Sequence, residues 1–300
     1  MSLLQVENLG VRIGDVAPVD GVSFAIDAGE TFALLGESGS GKSMTALALM
    51  RLLPAGGRIV DGQVSFDGQA LSELPESQMR TLRGRGMAMI FQEPQTSLNP
   101  VMTVGDQIAE ALPAGLSRSE QEREIVRLLE EVGIPDPALR MHSYPFELSG
   151  GQKQRVMIAQ ALAGKPKLLI ADEPTTALDV TIQGQILFEM QKLCRERHTA
   201  LIWITHDLAI VAGLADEVCV MYAGRIVERG PVGDVLERPL HPYTIGLIGS
   251  VPSRNRRGAP LRQIPGMTPS LLTLPPGCAF RARCPRAEAA CAAEIESRLV

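Results

Sequence analysis

The sequence predicts an α/β protein with a parallel sheet, for three reasons. First, residues 31–35 form a continuous apolar run that leads directly into a glycine-rich loop and then into a helix-compatible stretch. Second, there are three further apolar runs, and charged residues follow the last two of them, at the strand ends where open parallel sheets place their chemistry. Third, short apolar runs of this kind are typical of strands buried on both faces of a parallel sheet. The further runs lie at residues 87–91, 167–171 and 200–205.

The other elements follow from periodicity and from chain-breaking residues. Residues 3–8 and 22–26 alternate apolar and polar side chains, which predicts half-buried strands. A hairpin is predicted around Ala223-Gly224. From about Gly230 onward prolines recur, which indicates an irregular extension that packs on the core. Helices are predicted from apolar spacing and from the breakers Pro54 and Pro166, at residues 44–53, 124–132 and 150–163.

The composition is that of an ordinary globular protein. The 300 residues carry a formal net charge of −5, with 45% hydrophobic and 21% charged residues. Acidic and basic residues are interspersed, so no nucleic-acid partner is expected. No apolar run approaches the roughly 20 residues of a membrane helix, and the first residues do not resemble a signal peptide. We therefore expect a cytoplasmic chain that meets a membrane only through a partner, with Cys194 and Cys219 as buried thiols.

The segment from Gly36 to Ser43 matches the phosphate-loop pattern G-x4-G-K-[ST] between a predicted strand and a predicted helix. Glycines let backbone N–H groups converge on phosphate oxygens, and the helix N-terminus adds a favourable dipole. Lys42 is predicted to contact the β- and γ-phosphates, and Ser43 to ligate Mg²⁺. The predicted nucleotide-binding residues of the loop are Gly36, Glu37, Ser38, Gly39, Ser40, Gly41, Lys42 and Ser43.

Two adjacent carboxylates end the buried run at residues 168–171. Asp172 is expected to hold Mg²⁺ through water, and Glu173 is the candidate general base that polarises the attacking water. A carboxylate is suited to this role because phosphoryl transfer depends mostly on positioning and charge stabilisation. The alternative is an acidic pair that caps a helix beside Pro174, and the phosphate loop in the same chain further favours the catalytic interpretation.

A third motif, Leu148-Ser149-Gly150-Gly151-Gln152, opens a predicted helix, where Ser149 and the backbone N–H groups of both glycines can form an anion nest. With this motif, the phosphate loop and the carboxylates, residues 1 to about 230 closely resemble the ATP-binding cassette family. The resemblance implies that Ser149 to Gln152 bind the γ-phosphate of ATP held by a second subunit. It also implies that Asp179 belongs to a loop that links the two ATP sites of a dimer.

The same resemblance assigns three further residues. Gln92 matches the family glutamine that reaches Mg²⁺ and the attacking water, and His206 matches the histidine that contacts the γ-phosphate. An aromatic residue normally stacks on adenine, but no aromatic residue precedes Phe24, and the corresponding position is about Ile13. Loss of stacking costs on the order of 1 kcal/mol. We therefore expect ATP binding with weaker base selectivity.

Two further stretches resemble the ATPases of peptide and nickel importers. Residues 91–100 look like their glutamine loop, and residues 241–244, His-Pro-Tyr-Thr, look like the start of their C-terminal extension. This resemblance implies a magnesium-dependent ATPase that powers peptide import. The implied partners are a second ATPase subunit, two transmembrane permease subunits and an extracytoplasmic substrate-binding protein. The second ATPase subunit is more often a paralogue than a copy. Its place would be peripheral, on the cytoplasmic face of the membrane. The predicted organisation is an ATPase domain at residues 1–235, with a helical insertion at about 95–163, and an extension at 236–300.

Three alternatives stay open at this point. A nickel or glutathione importer of the same family is compatible with every motif. A cassette protein that acts on ribosomes or DNA would often carry two cassettes or long coiled coils, and this chain has one cassette, no extended heptads and no basic face. A nucleotide kinase shares the phosphate loop but leaves residues 148–152 unexplained.

Cys278, Cys284 and Cys291 crowd into the tail, with spacing similar to the first three ligands of an iron–sulfur cluster in some relatives. Such clusters take four protein ligands, and no fourth cysteine follows before Val300. A non-cysteine ligand, a longer natural chain, or a cluster-free thiol-rich segment that packs on the dimer partner are all compatible with this pattern.

Overall fold

The computed structural model describes residues 2–92, 97–175, 179–256, 258 and 260–293. They form two compact units. Strands and helices alternate along both units, which confirms the predicted α/β class. Among the described residues, no helix is both long and apolar enough to cross a membrane. The first unit comprises Met1–Ile26, Thr31–Glu73 and Ile204–Val300, and the second comprises Asp27–Glu30 and Leu74–Trp203.

An antiparallel sheet makes up part of the first unit. Its strands lie in the order β2-β1-β4-β5. The first two strands are longer than the alternation at residues 3–8 and 22–26 predicts, because the β1–β2 register shifts after Val6, Leu9 and Val11 and such irregularities break the two-residue period. The strands are β1 Leu4–Ile13, β2 Val16–Ile26, β4 Gly57–Phe66 and β5 Gln69–Ala70.

The predicted strand that leads into the phosphate loop is also present in this unit. β3 (Thr31–Leu35) is buried at all five positions and pairs in parallel with β9 (Glu217–Tyr222). β9 in turn forms the predicted hairpin with β10 (Arg225–Pro231). The helix after the loop, α1 (Lys42–Leu49), ends earlier than the predicted 44–53, because Arg51 has a left-handed φ of 51° that a helix does not continue through.

The C-terminal part of the first unit contains helices that the sequence analysis missed. α9 (Val232–Glu237) and α10 (Pro242–Ser250) follow the α8 helix (Leu208–Leu214) and the hairpin. Their prolines misled the prediction because they stand at the helix starts, where a missing N–H costs no helical hydrogen bond. After α10 the chain is irregular, as predicted, and buried Phe280 packs into one core cluster with Tyr222 and Tyr243.

The second unit carries a parallel sheet edge and most of the helices. Its strands lie in the order β8-β7-β6, and β6 and β7 pair in parallel. The predictions for 150–163 and 200–205 are confirmed to the residue. The helix predicted at 124–132 begins earlier, because Ser117 and Glu120 form a capping box ahead of it. The elements are α2 Glu76–Arg85, β6 Met87–Ile90, α3 Val104–Ala111, α4 Arg118–Glu131, α5 Pro137–Arg140, α6 Gly150–Ala163, β7 Leu168–Asp172, α7 Val180–Arg197 and β8 Ala200–Thr205.

Candidate nucleotide site

The phosphate loop lies between β3 and α1, in the context that the motif requires. Lys42 is only 4% exposed, and its Nζ donates hydrogen bonds to the carbonyl oxygens of Gly36 at 2.8 Å and Glu37 at 2.9 Å. Ser38 and Gly39 form the exposed tip of the loop. At Gly41, φ is +105° and a Cβ atom would lie 2.3 Å from the carbonyl oxygen of Pro18. Only glycine fits this position, so the loop is a folded cradle rather than a chance turn.

Two of the predicted catalytic residues meet in the second unit. Because Ile90 of β6 pairs with Ala171 of β7 in parallel register, the residues two positions beyond them leave the sheet side by side. Gln92 Nε2 donates a hydrogen bond to Glu173 Oε2 at 3.3 Å. The structure thus brings together the glutamine and the carboxylate that the sequence assigned to the attacking water.

The backbone at the carboxylate pair is unusual. Asp172 is the last residue of β7 and is 5% exposed. Glu173 is partly exposed and adopts a left-handed φ of 43°. A residue with a side chain pays a steric cost in this region, and such costs cluster at functional sites. The chain turns away from the strand at Glu173, the candidate base. The two adjacent carboxylates therefore differ in exposure, with Asp172 buried and Glu173 partly exposed.

The motif at residues 148–152, the signature motif, forms a reciprocal helix cap. Ser149 is the N-cap of α6, where its Oγ accepts a hydrogen bond from the Gln152 N–H at 3.3 Å and its own N–H donates to Gln152 Oε1 at 3.0 Å. Ser149 and Gly150 are exposed, whereas Leu148 is buried. A Cβ at Gly151 would lie 3.2 Å from Ile182 Cγ2. The motif therefore presents an ordered helix N-terminus to solvent.

The remaining predicted site residues occupy element ends. His206 is exposed and follows the last residue of β8, just before Asp207 caps α8. Asp179 is exposed at the N-cap of α7, and its neighbours Ala177 and Leu178 lie outside the described residues. Ile13 ends β1, partly exposed, in register with Val16. Their roles toward ATP stay predictions.

The residues that hold Glu37 were not predicted from the sequence. The Glu37 carboxylate accepts hydrogen bonds from both terminal nitrogens of Arg283 and from the hydroxyl of Thr268, and its backbone N–H donates to the Tyr243 hydroxyl. The four residues belong to the same unit. The His-Pro-Tyr-Thr motif was notable only as a resemblance, and the segment around Arg283 only for the spacing of its cysteines. Neither indicated a contact with the phosphate loop.

The cysteines divide as the sequence suggested, but the described part of the tail shows no grouping of metal ligands. Cys194 and Cys219 are buried, and burial raises the pKa of the Cys194 thiol to about 12. Within the described residues, which include Cys278, Cys284 and Cys291, no three His, Cys, Asp or Glu side chains are grouped to hold a metal ion. The geometry therefore lends no support to an iron–sulfur cluster.

Comparison with known proteins identifies the family. The family model described as ABC transporter matches residues 19–176, which include the phosphate loop, the signature motif and both carboxylates. The chain belongs to the ABC transporter family. It is an ABC-type ATPase, as the motifs predicted, and a second family model, described as the oligopeptide/dipeptide transporter C-terminal region, matches residues 227–291 of this ABC ATPase.

Relatives of this ABC ATPase are similar over nearly the whole chain. The oligopeptide transport ATP-binding protein OppD of Salmonella typhimurium is 52% identical over 96% of this chain and 88% of its own length. The dipeptide transport ATP-binding protein DppD of Bacillus subtilis is 48% identical over 96% and 88%.

Solved structures of ABC cassettes share the fold of this ABC ATPase. CbiO1 of Clostridium perfringens, part of the ABC transporter complex CbiONQ, has a TM-score of 0.69 at 28% identity, over 79% of this chain and 92% of its own. The dimeric bacterial ABC transporter cassette MJ0796 has a TM-score of 0.68 at 25% identity, over 76% and 98%. The predicted cassette fold is therefore confirmed.

Proposed function

We propose that this ABC ATPase binds ATP through residues 36–43 and hydrolyses it to power the import of peptides. The observation that carries the proposal is the hydrogen bond between Gln92 and Glu173, which joins the two groups expected to orient and deprotonate the attacking water. In this mechanism Lys42 binds the β- and γ-phosphates and Glu173 accepts the proton of the water. His206 contacts the γ-phosphate.

The donor types of the residues assigned to magnesium suit that ion. Ser43, Asp172 and Gln92 offer a hydroxyl, a carboxylate and an amide oxygen, and Mg²⁺ prefers such oxygen donors together with water and substrate phosphates. When bound, the ion neutralises charge on the phosphates of ATP. Asp172 is suited to hold it because a nearly buried carboxylate at a strand end is kept in one place.

The ATPase works as a dimer in this proposal. Ser149 to Gln152 contact the ATP of the partner subunit, and Asp179 lies in the loop that links the two sites. The exposed, capped N-terminus of α6 supports this role, since it offers backbone N–H groups and a favourable dipole to an anion. ATP then holds two subunits together, and hydrolysis releases them. The ATPase partner is expected to be a paralogue.

Peptides are the proposed cargo because both named relatives are oligopeptide or dipeptide transport proteins and because the C-terminal family match bears the same description. The transporter would further contain two permease subunits and an extracytoplasmic substrate-binding protein, with this ATPase peripheral at the cytoplasmic membrane face. Nickel and glutathione are less favoured as cargo, since neither appears in the names of these relatives.

An exposed apolar surface in the second unit supports a permease contact. Val101, Leu139 and Phe146 are 79%, 66% and 72% exposed, and Phe146 stacks on Tyr144 with ring centroids 5.6 Å apart. A hydrogen bond from the Val104 N–H to the Ser143 carbonyl joins the segment that carries Val101 to the segment that carries Phe146. Exposed apolar patches can mark interaction sites, and we propose that these side chains contribute to the permease contact.

An iron–sulfur cluster is not part of this proposal, because the three tail cysteines do not form a metal-binding group in the described residues. Iron analysis and visible absorbance of anaerobically purified protein test this choice. We expect less than one iron per chain. A stoichiometric cluster would contradict the proposal that the tail cysteines hold no iron–sulfur cluster.

Peptide uptake into vesicles tests the proposed cargo. The ATPase, its permeases and its binding protein are co-purified, reconstituted, and supplied with ATP and a labelled oligopeptide. We expect ATP-dependent uptake that Glu173→Gln abolishes and that excess unlabelled peptide, but not nickel or glutathione, competes. Uptake of nickel or glutathione instead would overturn the cargo, and co-purification with ribosomes or DNA would overturn the transport role.

A further inference from the structure

Glu37 is held at all of its polar groups. It is the second residue of the phosphate loop, and its carbonyl oxygen accepts hydrogen bonds from Lys42 Nζ at 2.9 Å and from the Ser40 N–H at 3.2 Å. Its N–H donates to the Tyr243 hydroxyl at 2.8 Å. Its carboxylate accepts from Arg283 at 2.7 and 3.1 Å. The first two contacts lie within the loop, whereas the others come from the C-terminal extension.

The guanidinium of Arg283 is itself fixed by the extension. The Arg283 side chain is 7% exposed, and its Nε donates to the Pro265 carbonyl at 2.9 Å. Its charged group lies 5.8 Å from the ring centroid of Tyr222 and 5.9 Å from that of Phe280. A planar guanidinium with a backbone anchor on one edge can bind a carboxylate in only one orientation. Arg283 is therefore a rigid support for Glu37 rather than a mobile surface charge.

An aromatic cluster holds the second support. Tyr243 is fully buried in α10 and packs on Tyr222 at 4.6 Å and on Phe280 at 5.4 Å between ring centroids. This packing places its hydroxyl at the Glu37 N–H. Both supports thus arise from the extension, and both reach the same residue of the loop.

The charge of Glu37 gives these contacts a consequence for the nucleotide. Hydrogen bonding to Arg283 holds the pKa of Glu37 below its usual value, so the group is ionised at neutral pH. An ionised carboxylate in a loop that binds a polyphosphate repels the ligand unless it is neutralised. Arg283 supplies a positive charge in direct contact with this carboxylate.

We propose that Arg283 and Tyr243 are positioning residues for nucleotide binding: the C-terminal extension braces the phosphate loop at Glu37 and neutralises its carboxylate. The proposal rests on the phosphate loop being the ATP site. It assigns the extension a part in the ATPase cycle, since any partner or modification that shifts the extension would change the affinity for ATP. The ligand of the braced loop is a nucleoside triphosphate.

A salt bridge that only stabilises the fold predicts a different mutational pattern. If Arg283 merely stabilised the extension, removing it would lower the melting temperature and leave ATP affinity unchanged. If it neutralises Glu37, then Arg283→Met leaves an uncompensated negative charge in the loop, and removing that charge as well by Glu37→Gln restores affinity. The double variant separates the two interpretations because it adds no stabilising contact.

The test is ATP affinity of the full-length chain, measured with a fluorescent ATP analogue beside the melting temperature of the nucleotide-free protein. Arg283→Met is expected to weaken binding roughly tenfold, because the uncompensated charge of Glu37 repels the polyphosphate. Arg283→Lys keeps the charge and is expected to stay within about threefold. Glu37→Gln with Arg283→Met is expected to recover most of the loss. The matched control is Arg286→Met, since Arg286 is exposed in the same segment, and it is expected to bind like the wild type.

The proposal would be overturned by an unchanged ATP affinity in Arg283→Met. It would also be overturned by a double variant that binds ATP no more tightly than Arg283→Met. If Arg283→Met does not fold, Tyr243→Phe replaces it. That variant removes one hydroxyl and is expected to weaken binding about fivefold, because the partly buried Glu37 N–H loses its acceptor. Normal binding in this variant would overturn the proposal. Lys42→Ala separates a failure of the proposed ATP site from a failure of the proposed role of Arg283. ATP binding retained in Lys42→Ala would reject the ATP site itself. ATP binding lost in Lys42→Ala but normal in Arg283→Met would reject only the role of Arg283.

Discussion

Arg283 binds both carboxylate oxygens of Glu37 although the two residues are 246 positions apart in sequence. Glu37 lies in the segment matched by the ABC transporter family model, and Arg283 lies in the segment matched by the oligopeptide/dipeptide transporter C-terminal model. The pair therefore joins two separately recognised parts of the sequence at the phosphate loop. Structure and charge at that loop depend on both parts.

The Glu37–Arg283 pair predicts a specific pH dependence of stability. The hydrogen bond from Arg283 is the main cause that holds the folded-state pKa of Glu37 below its usual value of about 4.5. A carboxyl with a depressed folded pKa contributes stability above its unfolded pKa and loses it as pH falls through the folded pKa. We expect Glu37→Gln to be on the order of 2 kcal/mol less stable than the wild type at pH 7, with a difference that shrinks as pH falls below 4.5. Urea unfolding of both proteins at pH 7, 5, 4 and 3.5 measures it. A difference that stays constant or grows in acid contradicts the assignment.

Two glycines of the phosphate loop make a matched pair for substitution. Gly39 and Gly41 both have positive φ, +77° and +105°, but a Cβ at Gly39 meets nothing within 4 Å, whereas a Cβ at Gly41 would lie 2.3 Å from the Pro18 carbonyl oxygen. Gly39→Ala is expected to cost about 1–2 kcal/mol of backbone strain. Gly41→Ala adds a clash with main chain and is expected to cost at least about 1–3 kcal/mol more. Equal unfolding free energies for the two variants would show that the loop adapts to the added atom.

Two capping boxes allow the signature serine to be tested for a role beyond capping. Ser149 caps α6 and Ser117 caps α4 with the same reciprocal pattern, and replacing either by alanine is expected to cost about 0.5–2 kcal/mol of stability. Only Ser149→Ala is expected to weaken ATP-dependent dimerisation. Light scattering with and without ATP, beside the melting temperature, measures both effects. A Ser117→Ala variant with the same dimerisation defect would assign the effect to stability alone.

Local patterns were enough for elements whose limits are set by burial and by breakers. The limits of α6 and β8 match the predicted ranges because a glycine pair and Pro166 delimit α6 and because β8 is a continuous apolar run. β1 and β2 were predicted too short because register shifts interrupt the alternation. The helices α9 and α10 were missed because a proline at a helix start has the same sequence signal as a proline in a loop.

The candidate site was predictable to the extent that it is built on strand ends. Gln92 and Glu173 each follow a predicted strand, and the parallel register of β6 and β7 then brings them together. The contact between Arg283 and Glu37 had no local signal, because Glu37 occupies a variable position of the loop pattern and its partner lies in an irregular segment. Long-range pairs of this kind follow from tertiary packing, which periodicity does not report.

ATP turnover and molecular mass of the Glu173→Gln variant, measured in the same ATP-containing buffer, decide whether the chain is an ATPase whose nucleotide holds two subunits together. Loss of the general base should lower turnover by about 10²–10⁴-fold. The phosphate loop and the signature motif are untouched, so the variant, mixed with its partner ATPase subunit, should sediment as a dimer with ATP and as separate monomers without it. Hydrolysis at the wild-type rate, or a variant that stays monomeric at saturating ATP, would contradict the account.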